Sequence, residues 1–192
     1  MRVQKYIVLL LVLLVGVLFV YSFSTTSSSE ELSFQQAKNF VKEDLVSTEA
    51  YRFASETQAG DKFYFDVLVS TNAHGVCPTL EKRHYELFPI SYRSEKIITS
   101  CSERSPPLLY QEEAVINTGK LPRVQKLTNP YSCVFDSTNF DSEAAANCNY
   151  FSKQEFDSLE LPVGFFAVLW VDSSGSKFWA LVDKSTGSIV LK

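Results

Sequence analysis

An α+β fold carried behind an N-terminal transmembrane helix is what this sequence predicts, and three observations predict it. Residues 6–23 form an almost unbroken apolar run, YIVLLLVLLVGVLFVYSF. Beyond it, one helix-period stretch is followed by several period-two stretches separated by turn residues. All four cysteines, Cys77, Cys101, Cys133 and Cys148, lie after the apolar run.

As a helix the run reaches about 27 Å, enough for the hydrocarbon core of a bilayer. Arg2 and Lys5 precede it and no basic residue follows until Lys38. Positive charge stays on the cytoplasmic side. Residues 1–5 are therefore expected in the cytoplasm, 6–23 as a signal anchor in membrane lipid, and the rest outside. Ser22 and Ser24 also offer small residues at a cleavage point, in which case the mature protein is secreted. Residues 24–32 are a Ser/Thr-rich tether, too poor in apolar groups to pack.

The extracytoplasmic domain, residues 33–192, opens with a helix. Ser33 and Gln36 make a capping box, and Phe34, Ala37, Phe40, Val41 and Leu45 share one helical face. A sheet is needed to cover that face. Phe63, Phe65, Val67 and Val69 alternate with Tyr64, Asp66, Leu68 and Ser70 as a strand. Two further strands are expected over residues 85–92 and 96–100, joined around 93–95. Residues 103–130 carry Pro106, Pro107, Pro122 and Pro130, which reads as a connection with one helical turn or edge strand and as a possible subdomain seam. A short helix is expected over 152–159, with Ser152 as its cap.

The ending is the best-patterned part. Residues 165–171, 178–182 and 189–191 read as a three-stranded antiparallel meander with Ser/Gly turns. The first of these strands is apolar on both faces, so it is expected to be central.

The cysteines lie where thiols oxidise and bridges persist. Three pairings are possible; Cys77 with Cys101 and Cys133 with Cys148 is favoured, because each pair brackets one compact stretch of chain. Closing a loop of about fifteen residues is worth roughly 3 kcal/mol in the chain-entropy account.

Composition limits function. The net charge is −4, and the bases lost with Arg2 and Lys5 leave the outer part more acidic still, which repels nucleic acid. Ser174-Gly175-Ser176-Lys177 has the serine and lysine spacing of penicillin-binding enzymes, but it lies in a hairpin turn rather than at the start of a helix. His74, Cys77, His84 and Cys101 are candidate zinc ligands, although only His74 and Cys77 form a tight pair and bridge formation competes for both sulfurs. Glu112-Glu113 reads as a solvated carboxylate pair. No Cys-x-x-Cys, phosphate loop or dinucleotide fingerprint occurs, and no cofactor is implied.

Residues 179–190, WALVDKSTGSIV, resemble the closing hairpin of PepSY-type extracytoplasmic domains, in which a strand ending in Asp turns through Thr-Gly into a short last strand. Ser33-Phe34-Gln35-Gln36-Ala37 is similar to the helix start of that family. The resemblance implies a helix on a curved antiparallel sheet and a binding or regulatory role, with no catalytic residues to transfer. Fifteen Phe, nine Tyr and two Trp are the remaining surplus, and Tyr131, Tyr150 and Phe151 flank the Cys133 to Cys148 loop as a candidate interaction surface. The expected function is a membrane-anchored binding module for another envelope protein or a surface polymer. The alternative is an extracytoplasmic enzyme or metal-binding factor whose His, Cys and carboxylate groups meet only in the fold.

Overall fold

The structure, a computed structural model, describes residues 33–192; the expected segments 1–5, 6–23 and 24–32 lie outside the described residues. Among the described residues, no helix is long and apolar enough to cross a membrane. The architecture is α+β, with two antiparallel four-stranded sheets and short helices between and around the strands.

Helix α1 (Phe34–Asp44) starts at the expected capping box: the Ser33 amide donates to Gln36 Oε1 at 2.8 Å, and the Gln36 amide donates to Ser33 Oγ at 3.2 Å. Ala37, Val41 and Leu45 are fully buried. The first sheet is a meander of β1 (Ala50–Ala59), β2 (Lys62–Thr71), β3 (Thr79–Leu87) and β4 (Ser91–Ile98). Tyr85 donates its hydroxyl to Asp44 at 2.7 Å, and Lys38 sits 4.7 Å over the Phe53 ring while pairing with Glu56. These contacts lay α1 across the face that carries Phe53, Phe65 and Tyr85.

The first sheet differs from the sequence expectation in two respects. The turn between β3 and β4 falls at residues 88–90 rather than 93–95, because Pro89 has no amide to give a ladder and Phe88 adopts a left-handed φ of 70°. Strand β1 has no counterpart in the sequence expectation. It is an edge strand with a register shift between Phe53 and Ser55, which breaks the period-two pattern that would have exposed it.

The connection holds more order than one turn. Helix α2 (Gln111–Gly119) buries seven of its nine residues. Ile116 packs with Leu68, Leu80 and Ile98 of the first sheet, whereas Ala114 and Val115 join Phe166, Val168, Trp170 and Phe178 of the second. A helix wedged between two sheets needs apolar groups on several sides, so it shows no single apolar stripe. Thr118 settles its hydroxyl on the Ala114 carbonyl at 2.8 Å and accepts the Trp170 indole N–H at 3.0 Å. A one-turn helix α3 (Pro122–Gln125) follows.

The second sheet runs β5 (Tyr131–Asp136), β6 (Phe165–Val171), β7 (Lys177–Asp183) and β8 (Ile189–Leu191) in that order. The three-stranded meander is present, and β5 extends it by a fourth strand that starts directly after Pro130. Strand β6 is central and buried on both faces: Phe166, Val168 and Trp170 lie in one apolar cluster and Ala167, Leu169 and Val171 in the other. Short helices α4 (Ser142–Ala146) and α5 (Lys153–Ser158) lie between β5 and β6, the second with its expected cap, Ser152. Both disulfides join neighbouring cysteines, Cys77 with Cys101 and Cys133 with Cys148.

Candidate functional site

Strand β1 is one edge of the first sheet and β5 one edge of the second, and these two edges border one cleft of about 660 Å³. This volume lies within the range of small-ligand pockets, roughly 300–1,000 Å³. Lys38 and Lys42 of α1, His74 of the β2–β3 loop, and Asp141, Ala144 and Asn147 beside α4 complete the walls.

The floor is an ion pair. Arg52 of β1 donates through both terminal nitrogens to the Glu112 carboxylate, at 2.7 and 2.8 Å, and Ser70 of β2 adds its hydroxyl to the same carboxylate. Glu112 is only 4 % exposed. Burial pushes its pKa up, but the Arg52 hydrogen bonds and charge and the Ser70 hydroxyl outweigh that and hold it below the usual glutamate range. Three elements are tied together by one carboxylate. The sequence reading of Glu112 and Glu113 as a solvated pair is thus corrected: Glu112 is buried and paired, and Glu113 reaches back to the Leu109 and Tyr110 amides at 2.7 and 2.9 Å to start the helix.

One wall is the loop after β2. Glu49 accepts the Asn72 and Ala73 amides at 2.5 and 3.0 Å and fixes its start, and the Cys77–Cys101 bridge fixes its end. Gly119 at the end of α2 lies so near the loop that a Cβ there would sit 3.1 Å from the Val76 carbonyl oxygen. Loop position and helix position are therefore set together. The loop delivers His74, whose Nδ1 lies 2.8 Å from the Ser132 carbonyl oxygen of β5. A carbonyl only accepts, so Nδ1 is the donor in this contact.

The His74 ring stacks on Tyr131 at 4.5 Å, and Tyr131 meets Tyr150 edge-on at 5.7 Å. Tyr150 is 43 % exposed. Sequence reasoning singled out His74 for metal and the two tyrosines for recognition; the fold brings all three into one aromatic row beside the cleft. Phe151 is placed differently. It packs half-buried among Phe135, Phe140 and Phe156, with ring centroids 4.7 to 6.0 Å away.

The other zinc candidates do not converge on His74. Cys77 and Cys101 are spent on each other, and His84 lies on β3 with its Nδ1 2.5 Å from Asp66, which also takes Lys82 at 2.8 Å. Among the described residues no group of three His, Cys, Asp or Glu side chains is placed to hold a metal ion. Ser174 and Ser176 do what turn residues do, binding the Asp172 carboxylate with a hydroxyl and two amides at 2.6 to 3.0 Å.

Arg52, Ser70 and Lys42 escaped sequence reasoning, since nothing in a single chain marks an arginine on an edge strand as the partner of a glutamate sixty residues away. No family model, curated protein or solved structure matches this chain.

Proposed function

We propose that this protein is a binding module without catalytic activity, anchored in membrane lipid by residues 6–23, with its N-terminus cytoplasmic and its α+β domain outside the cytoplasm. Its partner is another envelope protein or a surface polymer, received in the cleft between β1 and β5 and on the adjoining His74, Tyr131 and Tyr150 row. The observation that carries this reading is the internal pairing of the cleft. Glu112 is held as a carboxylate by Arg52, which makes it a weak proton acceptor, so its hydrogen bond with Ser70 does not activate the serine. Such a surface is preorganised to hold a ligand rather than to react with it. The resemblance to PepSY-type domains makes regulation of an envelope enzyme the special case of this role.

A pulldown from detergent-solubilised membranes tests the proposal. A partner retained by the wild-type chain and lost with Tyr150→Ala supports it; equal recovery contradicts the assigned surface. The alternative, an extracytoplasmic enzyme or metal-binding factor, is favoured by one feature, the presence of His74 in a cleft also lined by Glu49, Glu112 and Asp141. Calorimetric titration with zinc decides that point: heat that disappears in His74→Ala would establish a metal role.

A further inference from the structure

The free edge of β5 gives the partner a chemical identity. The Ser132 amide donates to the His74 carbonyl at 2.8 Å, so the backbone of Ser132 points away from β6. The Ser137 amide donates to Phe165 at 3.0 Å, which puts the odd-numbered residues of this stretch on the β6 side. Antiparallel pairing alternates along a strand, and Val134 therefore faces outward with Ser132. Val134 lines the cleft, and no group among the described residues hydrogen-bonds its N–H or its C=O. The protein's own loop thus fills the first rung of this edge, and the next rung, about 6.8 Å along, opens on the cleft.

We propose that the occupant of the cleft is an extended polypeptide segment that pairs with the outer edge of β5 at Val134 and adds a strand to the second sheet. This rests on the binding reading above and goes further by naming the partner's chemistry. A backbone donor and acceptor left unpaired beside a cleft are what strand addition uses, with side-chain contacts supplying selectivity. The α1 wall complements an acidic residue on that segment: Lys38 is taken by Glu56, whereas exposed Lys42 has no ion pair among the described residues. A glycan on the same site would use the Tyr150 row and have no need of the Val134 amide.

The test uses the full chain in detergent micelles and a phage-displayed library of random linear peptides. The enriched sequence is synthesised with a fluorophore and its Kd measured by anisotropy against wild type, Val134→Pro, Val134→Thr and Asn147→Trp. Proline at an outward-facing edge position removes only the donor, and threonine keeps it. Val134→Pro is expected to weaken binding about tenfold, the size of one lost hydrogen bond, with Val134→Thr close to wild type. If Val134→Pro does not fold, N-methylation along the peptide replaces it, and sensitivity at alternate residues is the expected pattern. Failure to enrich any peptide, or equal affinity for wild type and Val134→Pro, overturns strand addition. Loss on Asn147→Trp alone would keep the cleft as a binding site and discard the strand; indifference to every cleft variant would discard both.

Discussion

The two sheets are built on opposite plans. The second is apolar on both faces, with every residue of β6 after Phe165 buried, whereas the first is apolar under α1 and carries a ladder of charges across much of its other face. Asp66 lies opposite His84 and Lys82 opposite Glu95 in that ladder. Two-sided burial makes a sheet a stable platform; a half-covered sheet relies on the contacts that dock it. The docking contacts here are α2 and the Arg52–Glu112–Ser70 cluster, and the cleft opens where they end.

That contrast can be broken by mutation. The largest loss is expected at the centre of the second sheet. Trp170 is fully buried and hydrogen-bonded to Thr118, so Trp170→Ala should cost about 3–5 kcal/mol and move the urea midpoint of the whole domain. A loss under about 1 kcal/mol would show the second sheet is not the platform.

Glu112→Ala comes next, at about 3 kcal/mol, because Arg52 and Ser70 lose the carboxylate they share. Its pH signature is separable. Glu112 titrates below its ordinary value of 4.5 in the fold, so the stability it supplies is complete above that pH and is lost as pH falls through the lower folded value. Denaturation of wild type and Glu112→Gln between neutral and acid pH should therefore converge on acidification. Parallel curves would remove Glu112 from the account. Asp66 and Asp136 are held low by Lys82 with His84 and by Lys184, against the upward push of burial, and add acid sensitivity common to both proteins.

Smaller effects sharpen the picture around the second disulfide. Phe151→Ala should cost about 2 kcal/mol, since its ring closes the cluster around Phe135, while Tyr150→Ala should change stability by under about 0.5 kcal/mol. Equal melting temperatures for the two would erase the distinction between packing and recognition there. The smallest effect concerns the bridges. Cys101 is exposed, whereas Cys133 and Cys148 are each 5 % exposed, so a mild dithiol should reduce the first bridge before the second. Timed alkylation and mass measurement of the peptides would read the order, and simultaneous labelling would contradict it.

What was legible in the sequence follows the same divide. Strand β6 announced itself because burial on both faces leaves no room for a polar residue, and α1 because one covered face writes a helical period. Spacing favours the neighbour pairing of the cysteines among three possibilities without dictating it, and that pairing is the one present. Strands β1 and β5 were not legible, since an edge strand needs no strict alternation and β1 also carries a bulge. Helix α2 was hidden by its success in packing on several sides at once. Most of the cleft was beyond reach for one reason: its floor and walls come from distant segments, and a buried Glu112 looks like a surface acid until Arg52 is placed against it.

Site-specific photocrosslinking in intact cells would trap a partner held in the cleft. Replacing Asn147 on the cleft wall with benzoylphenylalanine should give a discrete adduct on irradiation, and the same replacement of exposed Glu95 on β4 should give none. No adduct at residue 147, or equal adducts at 147 and 95, would contradict the account.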